Sequence, residues 1–199
     1  SKVLEPILEV NEMSVLNDAG AIAVDRATFE VRSGEILAIA GVQGNGQTEL
    51  VEALTGLRPI DSGNVTLESK PFAAGSPREI ASAGVAHIPE DRNRDGMVKG
   101  MTIAENYILN TYHLPQYSKR GLLDRKAISA ATEKAVKDFD VRTPSIDTDI
   151  ASLSGGNQQK VIVAREFSRN VRLVIAAQPT RGLDVGSIEY IHRRIVEQR

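Results

Sequence analysis

Several stretches of this chain carry residue types whose spacing suits chemistry on phosphate. The first is Gly41-Val42-Gln43-Gly44-Asn45-Gly46-Gln47-Thr48. Glycines here let consecutive backbone N–H groups turn inward around an anion, and a helix opening at Gln47 would add partial positive charge. Gly41, Gly44, Asn45, Gly46, Gln47 and Thr48 are therefore the candidate nucleotide-binding set, with the Thr48 hydroxyl as a weak magnesium ligand. The frame is that of a phosphate loop, G-x-x-x-x-G-K-[ST], with an apolar run before it and a helical pattern after it. Its lysine is missing. Gln47 can donate hydrogen bonds but carries no charge, and a hydrogen bond to a charged group contributes about 1.5–3 kcal/mol against about 1 for a neutral one. For this segment alone, a glycine-rich turn that binds nothing is the competing explanation.

The second stretch is Leu153-Ser154-Gly155-Gly156-Asn157-Gln158-Gln159-Lys160. A helix beginning at Gly155 would present Ser154 and the N–H groups of Gly155 and Gly156 to a phosphate; an ordinary Ser-Gly-Gly helix start is the bland alternative. The third is Leu173-Val174-Ile175-Ala176-Ala177-Gln178-Pro179-Thr180-Arg181-Gly182-Leu183-Asp184, and the fourth is Ile88-Pro89-Glu90-Asp91-Arg92.

Taken together these segments resemble the ATP-binding-cassette family, whose signature motif is LSGGQ. The longer LSGGNQQK, IPEDRNRDGM and QPTRGLDVG are similar to the second cassette of fused sugar and nucleoside import ATPases, and Ala-Ala-Gln-Pro most resembles the nucleoside branch. The resemblance implies that Ser154, Gly155, Gly156, Asn157 and Gln158 face a partner's ATP, and that Asp184 lies in the D-loop. It also exposes departures. Ala177 stands where the family has its magnesium-anchoring Asp, and Gln178 where it has the Glu that activates water. Glu90 stands where a Gln usually senses the γ-phosphate and contacts the membrane subunit. No aromatic lies near Asn17, where many cassettes stack a Tyr on adenine. A general base alone contributes about 10²–10⁴-fold, and metal positioning supplies much of the rest. No catalytic residue is thus intact in this chain's own site, where ATP and Mg²⁺ are expected to bind weakly or not at all.

Cassettes of this family work head to tail, so the resemblance implies a division of labour in which this chain completes an ATP site on a second cassette. The expected partners are that cassette, an integral membrane permease and, indirectly, a substrate-binding protein. The expected place is the cytoplasm, peripheral on the inner face of a bacterial membrane. Two other readings stand beside this one: a non-catalytic nucleotide-sensing module, and a soluble cassette protein acting on nucleic acid or ribosomes.

The elements that would position these residues alternate between strand and helix. Residues 7–15 and 23–31 read as strands around an Asn17–Gly20 turn, and residues 35–40, EILAIA, as a buried strand with both faces covered. A helix is expected over 47–57, a turn at 61–64, a strand at 65–68, a short helix at 77–82 and a strand at 85–88. From residue 91 to about 153 the pattern is helical without strand runs, with helices over 102–109 and 124–139. A helix from Gly155, a strand over 173–177 and a helix over 187–199, striped by Ile188, Ile191 and Ile195, complete the chain. The fold class is therefore α/β, a P-loop RecA-like parallel core with a small antiparallel β subdomain and an inserted helical subdomain. The expected division is 5–34 and 62–70 for the β part, 35–61, 77–92 and 160–199 for the core, and 93–159 for the helical part. Cassettes of this family continue past the last helix with a further central strand, so residues 1–199 are expected to be a truncated cassette.

Composition agrees and excludes. Hydrophobic residues at 41% and charged residues at 25% suit a globular domain, and a net charge of −2 gives no hint of a polybasic nucleic-acid or lipid surface, though composition cannot show a local basic patch. There is no cysteine, hence no disulfide or thiolate chemistry. Residues 1–10 lack a signal-peptide layout, and no apolar run approaches the ~20 residues needed to span a bilayer. His87, His113 and His192 show no metal-ligand spacing and are assigned no role.

Overall fold

The structure is a computed structural model and describes residues 4–71 and 75–199. It divides into two compact units, residues 1–85 with Arg199 and residues 86–198.

The first unit is organised by long strands β1 (Pro6–Leu16) and β2 (Ile22–Arg32). Asn17 closes the turn between them, its Oδ1 accepting from the N–H groups of Ala19 and Ala21. β3 (Ser62–Leu67) and the short β4 (Lys70–Pro71) extend an antiparallel sheet of order β2-β1-β3-β4. Alternation covers Leu8 and Val10 of β1; past an irregularity between Val10 and Met13, with Glu12 at φ +48°, the buried set moves to Met13 and Val15, and Val65 and Leu67 of β3 are buried with them. Helix α1 (Gln47–Leu54) buries Leu50, Ala53 and Leu54 and packs on β1 and β2. Arg58 ties the helix end to the β1–β2 turn, donating to Glu52, Asp18 and the Leu16 carbonyl. Helix α2 (Pro77–Ser82) begins with Ser76 and Glu79 capping one another.

The second unit carries β5 (Val85–Ile88, of which Val85 belongs to the first unit), α3 (Ile103–Tyr107), α4 (Arg125–Asp138), α5 (Gly155–Phe167), β8 (Leu173–Ala176) and α6 (Val185–Glu197). β5 pairs with β8 in a two-stranded sheet. Between α3 and α4 lies a small hairpin, β6 (Ser118–Lys119) and β7 (Leu122–Leu123), in a stretch expected to hold helices alone. Each helix start has a side-chain oxygen on its early N–H groups: Thr102 for α3, Asp124 for α4, Ser154 for α5 and Asp184 for α6. Ile88, Ile103, Ile150, Val163 and Ile191 form the centre of the core.

Besides that hairpin, a second expectation fails. Residues 35–40 are not a buried strand: they form no ladder, and Ile36 and Ile39 are each 53% exposed. A strand holds only where a neighbour takes its N–H and C=O groups, and no described segment pairs with this one. Elsewhere the differences are at ends. β3 starts at Ser62, inside the expected turn, and α6 starts at Val185 because Asp184 supplies the cap.

Helix α5 is buried from Gln158 to Phe167, although its sequence is largely polar. Every buried charge on it has a partner, as burial demands. Glu166 accepts from Arg165, Arg169, Asn110 and the His87 N–H. Lys160 donates to Asp140 and lies 4.5 Å above the Tyr190 ring. His87 has a buried Nε2 without a partner, and burial pushes its pKa below 6.5 against opposing fields from Glu166 and Asp95. A histidine with a depressed folded pKa favours the folded state above the unfolded value and loses that contribution as pH falls. Thermal midpoints measured between pH 7.5 and 5.5 should therefore drop below about pH 6.5, and His87→Gln should flatten that drop.

Candidate functional site

In the first unit, the phosphate loop leads from exposed residues 41–45 into α1. Gly46 caps the helix at φ +87°, and a Cβ there would sit 2.2 Å from the Ala23 carbonyl oxygen, so only glycine fits. No side chain caps α1, which leaves its first N–H groups available. The Gln47 side chain folds back across the loop: a Cβ on Gly41 would lie 2.1 Å from Gln47 Nε2. A neutral amide thus occupies the place from which a lysine would reach forward. Thr48 is exposed.

In the second unit, the segments around Glu90, Ser154 and Gln178 come together. Gln178, in a left-handed conformation at φ +42°, donates from Nε2 to Glu90 Oε1 at 2.9 Å. Arg181 forms an ion pair with the same carboxylate. Ala177 offers no side-chain oxygen and bonds through its N–H to the Ile88 carbonyl at 2.9 Å. The positions read separately in the sequence, Glu90 and Gln178, are therefore one hydrogen-bonded pair. Among the described residues no group of three His, Asp or Glu side chains could hold a metal ion. These residues do not fit a protein-anchored magnesium, because the one carboxylate at the turn is already held by Arg181.

Arg92, which sequence reading did not single out, joins the same region. Its guanidinium donates to the Arg181 carbonyl at 3.0 Å and to Gln158 Oε1 at 3.4 Å. It rests against Gly155, where a Cβ would fall 2.7 Å from an Arg92 nitrogen. Gln158 and Gln159 face inward, Gln158 donating to the Ile150 carbonyl and Gln159 to the Pro179 carbonyl.

Ser154 caps α5 and its side chain is exposed. Its Oγ accepts from the Asn157 N–H at 3.4 Å and from Asn157 Nδ2 at 3.0 Å. A cleft of about 320 Å³ opens beside it, lined by Arg142, Asn157, Lys160, Ser187 and Tyr190 among others. Asp184 accepts from the Ser187 N–H and hydroxyl, which hold its carboxyl below the usual range. Gly156 lies directly under that cap, and a Cβ on it would sit 2.1 Å from Ser187 Oγ. Gly156→Ala should therefore lower stability by about 1–3 kcal/mol through overpacking, and Ser187→Ala in the same chain should recover most of the loss in a thermal melt.

A family model described as ABC transporter matches residues 24–181 of this chain. The chain belongs to the ABC transporter family. It is 48% identical over 193 residues to the nucleoside import ATP-binding protein NupA of Lactococcus lactis, and 46% identical over 193 residues to the guanosine import ATP-binding protein NupO of Bacillus subtilis. Each alignment takes in 97% of this chain and 38% of the relative, so the chain spans well under half the length of these proteins. It is 41% identical over 197 residues to the glucose import ATP-binding protein TsgD13 of Haloferax volcanii, covering 98% of this chain and 36% of that one. Among solved structures, the ATP-binding cassette MJ0796 bound to ADP and Pi superposes with a TM-score of 0.77 at 20% identity, over 94% of this chain and 81% of that one. The cassette MJ1267 gives 0.78 at 22% identity, over 98% and 77%. The fold of this ABC family member is thus that of an ATP-binding cassette, as the motifs imply. No helix among the described residues is long and apolar enough to cross a membrane.

Proposed function

We propose that this chain is the nucleotide-binding half of an ABC importer ATPase of the nucleoside or simple-sugar class. Its LSGGNQ segment completes an ATP site on a partner cassette, while its own phosphate loop turns over negligibly. The observation that carries the reading is the contrast within the second unit. Helix α5 has a buried, fully partnered body and an exposed Ser154 at its start, whereas the turn at Ala177 and Gln178 holds neither a metal ligand nor a free carboxylate. The names of the relatives favour nucleosides over sugars by identity, 48% and 46% against 41%.

On this reading the partners are a second cassette, an integral membrane permease and a substrate-binding protein, and the chain works peripherally on the cytoplasmic face of the membrane. The three-part division of the cassette set out from the sequence belongs to the same reading. Ser154 and the N–H groups of Gly155 and Gly156 would hold the terminal phosphate of the partner's Mg-ATP, which supplies the scissile bond. The neutral amide of Gln47 supports a second role for the chain's own phosphate loop, as a nucleotide-sensing element without turnover. The test uses the assembled transporter in lipid vesicles with its binding protein. ATP turnover should depend on Ser154 and tolerate Gln47→Ala; the opposite pattern would refute the assignment.

A further inference from the structure

The Ser154 hydroxyl can act on a phosphate only if its proton points outward. A serine hydroxyl has one proton to donate and two lone pairs to accept with, and it rotates to suit its neighbours. Left to itself at a helix start, Oγ accepts one bond from a first-turn N–H, and its proton samples several directions. Here a second donor removes that freedom, and the side chain of Asn157 provides it.

The orientation of the Asn157 carboxamide follows from its other end. The Arg142 backbone N–H lies 2.9 Å from Asn157 Oδ1. A backbone N–H can only donate, so the atom facing it must be the oxygen, and the NH₂ must face Ser154. Nδ2 then donates to Ser154 Oγ at 3.0 Å, beside the Asn157 N–H at 3.4 Å. Both lone pairs of Oγ are engaged by donors. The hydroxyl proton is left to point away from the helix, into the cleft that Ser154 and Asn157 line together. That is the polarity a phosphate oxygen requires, since an anion accepts and cannot donate.

We infer that Asn157 is a positioning residue that fixes the Ser154 hydroxyl as an outward donor, using the Arg142 N–H as its anchor. Its side chain is short enough to bridge from its own helix turn to the cap beneath it, and the family's LSGGQ has a longer Gln at this position. The inference rests on the reading that Ser154 contacts the partner's phosphate.

The experiment is a double-mutant cycle on ATP turnover by the assembled transporter, with Ser154→Ala, Asn157→Leu and the two combined. Leucine nearly preserves the shape of asparagine, adds no charge and suits a helix, and a thermal melt of each variant checks that it folds. Ser154→Ala should slow turnover roughly tenfold, the factor for one charge-assisted hydrogen bond. Asn157→Leu should slow it several-fold, and the combined variant should be no slower than Ser154→Ala alone. A purely structural role for Asn157 would multiply the two losses, and that result would overturn the inference. Full activity in Asn157→Leu would overturn it as well, leaving the phosphate contact of Ser154 intact. Unchanged turnover in Ser154→Ala would instead remove the phosphate contact itself, and the inference with it. Should Asn157→Leu fail to fold, Asn157→Ser takes its place, with a side chain too short to reach both partners and the same non-additivity expected.

Discussion

Ser154→Arg should abolish ATP turnover by the assembled transporter, with a fall of roughly 10²-fold or more, the range seen when a preorganised donor to developing charge is removed. The cause is local. Ser154 is the exposed residue from which α5 starts, with its backbone extended and its Oγ turned onto the first helical turn. Arginine removes the hydroxyl and puts a long side chain across the entrance to the adjoining cleft. Losing the cap costs about 0.5–2 kcal/mol of stability, too little to unfold a helix whose body is buried from Gln158 onward. The expected result is therefore a folded, membrane-assembled protein that does not turn over. Steady-state phosphate release decides it, with Gln47→Ala as the matched control in the chain's own loop. Retention of more than a tenth of the rate in Ser154→Arg would refute the proposed contact.

What could be seen in the sequence and what could not follow different physical rules. Caps and turns are local, so the Asn17 turn and the helix starts at Ser76, Thr102, Asp124 and Ser154 can be read from a few neighbouring residues, whereas the helix expected over 187–199 misses the Asp184 cap. The phosphate-loop frame and LSGGNQQK are likewise short-range patterns, and they led to the cassette fold. Pairing is not local. EILAIA has the composition of a central strand, yet a strand exists only with a neighbour, and among the described residues this segment has none. The run from Asn157 to Lys160 is polar throughout, and the resemblance implies that Asn157 and Gln158 face a partner's ATP. Gln158, Gln159 and Lys160 are nonetheless buried, because each reaches a carbonyl or carboxylate on a distant loop: Ile150, Pro179 and Asp140. Glu90 and Gln178 lie 88 positions apart, and nothing in the sequence says that they share a hydrogen bond. The signal that could have suggested it is chemical: the resemblance implies an amide where Glu90 stands and a carboxylate where Gln178 stands, each in the other's place.

That exchange leads to the second large effect. Gln178→Glu alone should not confer hydrolysis, although on the proposed reading it supplies the base that the site lacks. Gln178 now donates to Glu90 at 2.9 Å. A second carboxylate at that distance would repel the first, with Arg181 shared between them. One of the pair would then hold a proton well above the ordinary carboxylate range of about 4.3. A carboxyl with a raised folded pKa adds stability below its unfolded value and loses it as pH rises, so this variant should lose stability relative to the parent chain from acid toward neutral pH. Glu90→Gln combined with Gln178→Glu keeps one acceptor and one donor at the contact and should melt like the parent. Neither variant should hydrolyse ATP at this chain's own loop, since Gln47 supplies no cation and Ala177 no metal ligand. Only with Gln47→Lys and Ala177→Asp added should turnover appear. Measured over a Ser154→Arg background that silences the partner's site, the four changes together should raise phosphate release by about 10²-fold or more, the lower end of what a general base contributes. On the proposed reading the four changes act jointly, because a base only activates the attacking water, while the metal anchor and the cation are needed to hold and charge-balance the triphosphate. A single substitution giving the whole gain would show that the departures are not one coupled loss, and no gain from all four would show that the site fails for another reason.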